Sequence, residues 1–187
     1  MHPIYTIGHS TRGIGEFIDL LKEHGIQLLV DVRRYPGSRR FPQFNQGELE
    51  QSLNEVGIDY RHKKILGGRR GKPDSDSPNK GWRSDGFQAY ADHLSTKQVR
   101  QEIDNLIETA EETTLALMCA EAVYWRCHRQ LIADWLDARG LEVIHILGPD
   151  QTQQHELNEM AEVQVEGTVI YPEQNEDPTD QQKLFGD

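Results

Sequence analysis

Gln27-Leu28-Leu29-Val30-Asp31-Val32 decides the fold. Its apolar residues are consecutive rather than alternating, which is how a strand reads when both faces of its sheet are covered. Such sheets are built from parallel strands joined by helices. The flanks agree. Upstream, Ile4-Tyr5-Thr6-Ile7 is a β-branched run ended by Gly8, and Ile14, Phe17, Ile18, Leu20 and Leu21 follow at helical spacing until Gly25. Downstream, residues 48–56 read as a helix ended by Gly57, and residues 58–63 as a short strand.

The alternation continues. Residues 66–86, rich in Gly, Ser, Asp, Asn, Lys and Pro, form a long loop expected to be functional or mobile. Residues 87–94 and 97–112 are helical, and Thr113-Thr114-Leu115-Ala116-Leu117-Met118 is a second buried strand. Residues 124–139 read as one helix with Tyr124, His128, Leu131 and Trp135 on a stripe, ended by Gly140. Residues 141–147 make a strand, 151–163 a polar helix and 165–171 an edge strand. The expectation is an α/β fold, a three-layer sandwich with a mostly parallel central sheet and helices on both faces. One domain spans residues 1–171, and 172–187 is an acidic, flexible tail.

Composition bounds the function. With 36% hydrophobic and 27% charged residues in 187, the chain suits a globular protein, and its apolar runs are too short to span a membrane. The first residues lack the basic start and apolar run of a secretory signal, and two cysteines are no disulfide framework, so a cytoplasmic location with reduced thiols is expected. The net charge is −11, yet ten of the 20 Lys and Arg lie between Arg33 and Lys72. The total repels polyanions, whereas the local cluster can hold a phosphate within a Debye length.

In an open parallel sheet, ligands bind beyond the carboxyl ends of the strands. The polar clusters fall there: Gly8-His9-Ser10-Thr11-Arg12, Asp31-Val32-Arg33-Arg34, Cys119-Ala120-Glu121 and Gly148-Pro149-Asp150. Asp31 and Glu121 are candidates to activate water, with His9 or His128 moving a proton. The plainer alternatives are that Asp31 caps a turn and pairs with Arg33 or Arg129, that His9 bonds backbone, and that Ser10 or Thr11 caps the next helix.

Cys119 ends a strand just before a helix, where the helix dipole lowers a thiol pKa. Six residues separate it from Arg126, one more than the loop of Cys-dependent phosphatases has, and a buried packing cysteine is an equal reading. Cys119, Cys127 and His128 resemble a partial metal set, but their spacing is wrong for a zinc knuckle and adjacent Cys127 and His128 point along different helical directions. No metal or other cofactor is favoured. Arg33, Arg34, Arg39 and Arg40 interleave with Tyr35, Phe41 and Phe44, types that fork onto phosphates and stack on bases. Arg69 and Arg70 lie in the long loop and form a candidate mobile clamp.

These motifs carry a resemblance. Tyr5-Thr6-Ile7-Gly8-His9-Ser10, Asp31-Val32-Arg33 with Pro36, Ser38 and Phe44-Asn45, Leu66-Gly67-Gly68, and Met118-Cys119-Ala120-Glu121 followed by Cys127-His128-Arg129 are similar to hallmarks of the bacterial and archaeal family catalogued as domain of unknown function 488. The resemblance spans roughly residues 3–150 and implies a shared signature of His9, Asp31, Arg33, Cys119, Glu121, Cys127, His128 and Arg129. In the tail, Gln181-Gln182-Lys183-Leu184-Phe185 resembles the pentapeptide that docks bacterial proteins on the replication sliding clamp. Gln181, Leu184 and Phe185 fit, and Gln182 departs from the apolar second position.

The expected function is a nucleic-acid-directed enzyme of genome maintenance, hydrolytic, with DNA or nucleotide as partner and the tail as recruiter. Ser10, Arg12, Arg33, Arg34, Arg39, Arg40, Arg69 and Arg70 would hold phosphates, and Arg129 would lie nearer the chemistry. Two alternatives stay open: a Cys119-dependent enzyme handling phosphate or sulfur, and a non-catalytic DNA- or nucleotide-binding adaptor.

Overall fold

The structure is a computed structural model and describes residues 2–174. The elements run β1 (Ile4–Gly8), α1 (Ile14–Glu23), β2 (Leu28–Asp31), α2 (Gln46–Asn54), β3 (Asp59–His62), α3 (Asp85–Leu94), α4 (Lys97–Glu112), β4 (Leu115–Cys119), α5 (Arg129–Asp137), β5 (Val143–Gly148), β6 (Gln151–Gln154), β7 (Glu162–Val163) and β8 (Val169–Ile170). The main sheet has the order β3-β2-β4-β1-β5-β6, parallel except for β6.

Consecutive residues of the central strands feed opposite layers. Leu29, Ala116 and Met118 pack with Phe17, Leu20 and Leu21 of α1 and Leu49 and Leu53 of α2. Leu28, Val30, Leu115 and Leu117 pack on the other face with residues of α3, α4 and α5, among them Val99, Ile103, Leu106 and Ala110. Those four recur every third or fourth residue, so α4 lays one apolar stripe on the sheet. Two covered faces make three layers, as the uninterrupted apolar strands require.

Three expectations need correction. Residues 151–163 are not a helix: the all-polar Gln151–Gln154 has no stripe to bury and pairs antiparallel with β5 at the sheet edge. Residues 165–171 do not join the main sheet, since only Val169–Ile170 is strand and it pairs with β7 in a separate ribbon. The helix read over 124–139 is cut: Tyr124–Arg126 is a 3₁₀ turn, Cys127 is extended, and α5 starts at Arg129. That break carries Cys127 back under the end of β4.

The long loop is pinned rather than free. The Asp92 carboxylate of α3 accepts bonds from the Asp74 amide, the Ser77 hydroxyl and the Asn79 side-chain amide. Asn79 Oδ1 in turn accepts the Tyr171 amide at 2.9 Å. No described helix is long and apolar enough to cross a membrane. The tail positions Gln181, Leu184 and Phe185 lie outside the described residues.

Candidate active site: an arginine-lined crevice over a buried thiol pair

The loops after β1, β2 and β4 meet, as the parallel sheet demands, and with the loop before α3 they enclose a crevice of about 770 Å³. The turn after β5, with Asp150, is not among its lining residues. Three glycines permit the convergence. A Cβ on Gly8 would lie 1.7 Å from the Glu121 carbonyl oxygen, one on Gly67 2.6 Å from Arg34 Cα, and one on Gly68 2.9 Å from His128 Nδ1. Ser10 and Arg69, both crevice residues, hold the left-handed region at φ 50° and 55°, strain of the kind that collects at binding sites.

One wall belongs to the α1–α2 side. Asp31 is 0% exposed and receives Arg33 Nε at 2.9 Å and Nη2 at 2.6 Å, the Arg33 amide at 2.9 Å and the Tyr60 hydroxyl at 2.7 Å. Burial, then the Asp31 carboxylate, pushes the Tyr60 hydroxyl far above its ordinary range. Arg33 also donates to the Phe44 carbonyl and reaches His9 Nε2 at 3.4 Å through Nη1. His9 stacks on the Phe44 ring, with centroids 4.3 Å apart, and gives its Nδ1 proton to the Ser10 carbonyl, leaving Nε2 as the acceptor. Burial is the main cause that lowers His9 to about 4. This wall is closed and neutral overall. Asp31 is committed to Arg33, the plainer of its two sequence readings.

The other wall faces α3 and α5. Cys119 Sγ and Cys127 Sγ lie 2.8 Å apart, both unlinked and both at the crevice floor. Cys119 Sγ accepts the Glu121 amide at 3.3 Å and Arg129 Nε at 3.0 Å. His128 donates Nε2–H to the Val32 carbonyl at 2.9 Å, and its Nδ1 faces Cys127 Sγ at 3.4 Å. Cys127 and His128 thus converge on one site, correcting the expectation that they diverge along a helix: Cys127 precedes the helix and is extended.

Arg129 is 1% exposed, and its recorded acceptors are Cys119 Sγ, the Thr6 hydroxyl and the carbonyls of Glu121 and Ala122. None is a carboxylate. An unpaired buried guanidinium is costly, and the sulfur pair can supply the missing negative charge. Burial, then the neighbouring sulfur, raises one thiol well above the ordinary range. Against burial, the hydrogen bond between the sulfurs and the charges of His128 and Arg129 lower the other. The two thiols therefore titrate as a pair, one proton leaving more readily than the other.

The arginines divide. Arg34 and Arg69 line the crevice, tied by a 2.8 Å bond from Arg34 Nη1 to the Arg69 carbonyl, and the exposed Arg126 joins them. Glu121 is the one carboxylate among these lining residues and is exposed at the mouth. Arg12 turns away onto the carbonyls of Gly8 and Leu147 and onto Glu16. Arg70 is spent on the carbonyls of Ile65 and Gly67. Arg39 and Arg40 are exposed beyond the crevice lining, Arg40 over the Phe41 ring. Ser10 and Thr11 precede the cap of α1, which is Gly13, and line the crevice instead. Among the described residues no His, Cys, Asp and Glu side chains are grouped in threes so as to hold a metal ion.

Sequence reasoning missed Thr6, Asp134, His145 and His155, all buried behind Arg129. Their signal was available: each of Thr6, Asp134 and His145 is a polar residue inside an apolar run. No curated protein and no solved structure matches the chain. A family model described as domain of unknown function DUF488 matches residues 13–136, which holds both walls except the β1 loop. More than half of the 187 residues fall in that match, so the chain belongs to the DUF488 family.

Proposed function

We propose that this protein is a thiol-dependent enzyme acting on a phosphate-bearing ligand of nucleotide or nucleic-acid class. The observation that carries it is the buried Arg129 with no carboxylate, under a thiol pair that opens into an arginine-lined crevice. Arg34, Arg69 and Arg126 supply forks for phosphate oxygens, while Tyr35 and Phe87 offer faces on which a base can stack. A pair holding one thiolate and one thiol would suit a displacement. The thiolate sulfur bonds to phosphorus, the phosphorus–oxygen bond to the leaving group breaks, and that oxygen takes the proton of the neighbouring thiol. Water then cleaves the sulfur–phosphorus bond, returning the thiol pair, so the net reaction is hydrolysis.

A hydrolysis in which Asp31 activates water has less support, because Asp31 is fully engaged by Arg33 and Tyr60, which leaves Glu121 at the crevice mouth as the carboxylate for that reading. Recruitment by the sliding clamp rests on Gln181, Leu184 and Phe185 alone, and loss of clamp capture on deleting residues 181–187 tests it. The function itself is tested by ligand protection. A short single-stranded oligonucleotide or a nucleoside triphosphate should slow iodoacetamide labelling of Cys119 and Cys127, and Arg34→Ala with Arg69→Ala should abolish the protection. Labelling indifferent to both ligands would overturn the proposal.

A further inference from the structure

Behind Arg129 lies a chain of side chains that crosses the domain interior. Arg129 Nη1 is 3.2 Å from Thr6 Oγ1, Thr6 Oγ1 is 2.7 Å from His145 Nδ1, His145 Nε2 is 2.9 Å from His155 Nδ1, and His155 Nε2 is 3.0 Å from Asp134 Oδ1. All five residues are buried, at 5% exposure or less. Tyr124 lies flat on the His145 ring, with centroids 3.5 Å apart and planes 9° apart. With both imidazoles neutral and the Asp134 carboxylate able only to accept, the chain has one assignment of protons. Arg129 donates to Thr6 Oγ1, which gives its own proton to His145 Nδ1. His145 then carries its proton on Nε2 and donates to His155 Nδ1. His155 carries its own on Nε2 and donates to Asp134. The carboxylate is further anchored by the Asn158 amide at 2.9 Å and the Tyr171 hydroxyl at 2.7 Å.

Every link therefore points the same way. The lone-pair end of each group faces the guanidinium and the hydrogen end faces the carboxylate, so the dipoles stabilise both buried charges and strengthen one another. We propose that Asp134, His155, His145 and Thr6 form a polarised relay that positions Arg129 beneath Cys119 and thereby keeps its charge matched to the sulfur pair. These are positioning residues, since the crevice ligand meets none of them. The inference deepens the thiol chemistry proposed above and rests on it. His145 is held neutral, lowered to about 3 by burial first and then by His155 and Arg129, as a relay of neutral links requires. The charged or titratable groups facing the thiols are Arg129 and His128 from the α5 end and Tyr90 from α3, whose hydroxyl donates to the Leu66 carbonyl.

The test has two parts. Nitrogen-15 NMR of the whole protein should find His145 and His155 both in the Nε2–H form at neutral pH; a Nδ1–H form of either overturns the relay. Thr6→Val keeps the shape of the residue and removes the hydroxyl that joins Arg129 to the chain, whereas Thr6→Ser keeps it. Iodoacetamide labelling at a pH below the parent thiolate's titration should slow about tenfold in Thr6→Val for each pKa unit by which the thiolate is raised, and return to the parent rate in Thr6→Ser. If the parent shows a reactive thiolate and Thr6→Val matches it, the relay has no positioning role. If the parent shows no such thiolate, the thiol function falls, and the relay's purpose with it.

Discussion

Arg33 and Arg129 are both buried at one edge of the sheet, and they differ in what balances them. Arg33 meets Asp31 through a fork of three contacts at 2.6 to 3.1 Å, and its cation is neutralised. Arg129 meets the Cys119 sulfur and a set of neutral acceptors. The first is a structural strut that holds the β2 loop, with Phe44 and His9 stacked against it. The second leaves a charge to be completed, either by a thiolate or by what enters the crevice. Charge compensation, more than residue type, separates the scaffold from the chemistry.

Breaking each arginine's balance should expose the difference. Asp31→Asn leaves Arg33 buried and unpaired, and urea denaturation should register a loss of about 3–5 kcal/mol. Arg129→Met takes a donor from the Thr6 hydroxyl and from the Glu121 and Ala122 carbonyls, while the sulfur pair can take up a proton in place of the lost cation, so a smaller loss of about 1–3 kcal/mol is expected. Equal losses from the two variants would mean that Arg129 is paired as Arg33 is.

Acid should act through the histidines of both walls. His9, lowered to about 4, and His145, lowered to about 3, are neutral when folded and take up protons near 6.5 when unfolded. The unfolded chain binds the extra protons, so their contribution is full above about pH 6.5 and is lost as pH falls toward 4. Each contributes at most about 1.4 kcal/mol per pH unit over that range. His145→Asn should flatten the curve, and stability unchanged between pH 6.5 and 4.5 would contradict both assignments. The smallest effect belongs to the rim. Arg34→Ala and Arg69→Ala should each lower the salt slope of oligonucleotide binding by about 0.7, leaving stability unmoved, whereas Arg39→Ala, outside the crevice, should change neither.

Much of this was legible in the chain. Leu28–Val32 and Leu115–Met118 announced strands covered on both faces, and the parallel sheet then placed His9, Arg33 and Cys119 at one rim. What stayed hidden depends on closure in three dimensions. Asp31 satisfies either of its readings until Arg33 is seen folded back on it. Cys127 sits at helical spacing from Leu131, and only the extended backbone that takes it to Cys119 breaks the pattern. The polar run Gln151–Gln154 carries no periodicity, and its strand exists because β5 offers an edge. Thr6, Asp134, His145 and His155 lie 139 residues apart at the widest bonded link, a proximity that no local spacing encodes.

The most direct test counts thiolates. Ultraviolet thiolate absorbance of the intact protein, which has only Cys119 and Cys127, should show one thiolate per chain near neutral pH. That signal should vanish in Arg129→Met and double only in strong alkali. A parent protein with both thiols protonated until the ordinary thiol range, above about pH 8, would contradict the claim that Arg129 is balanced by sulfur.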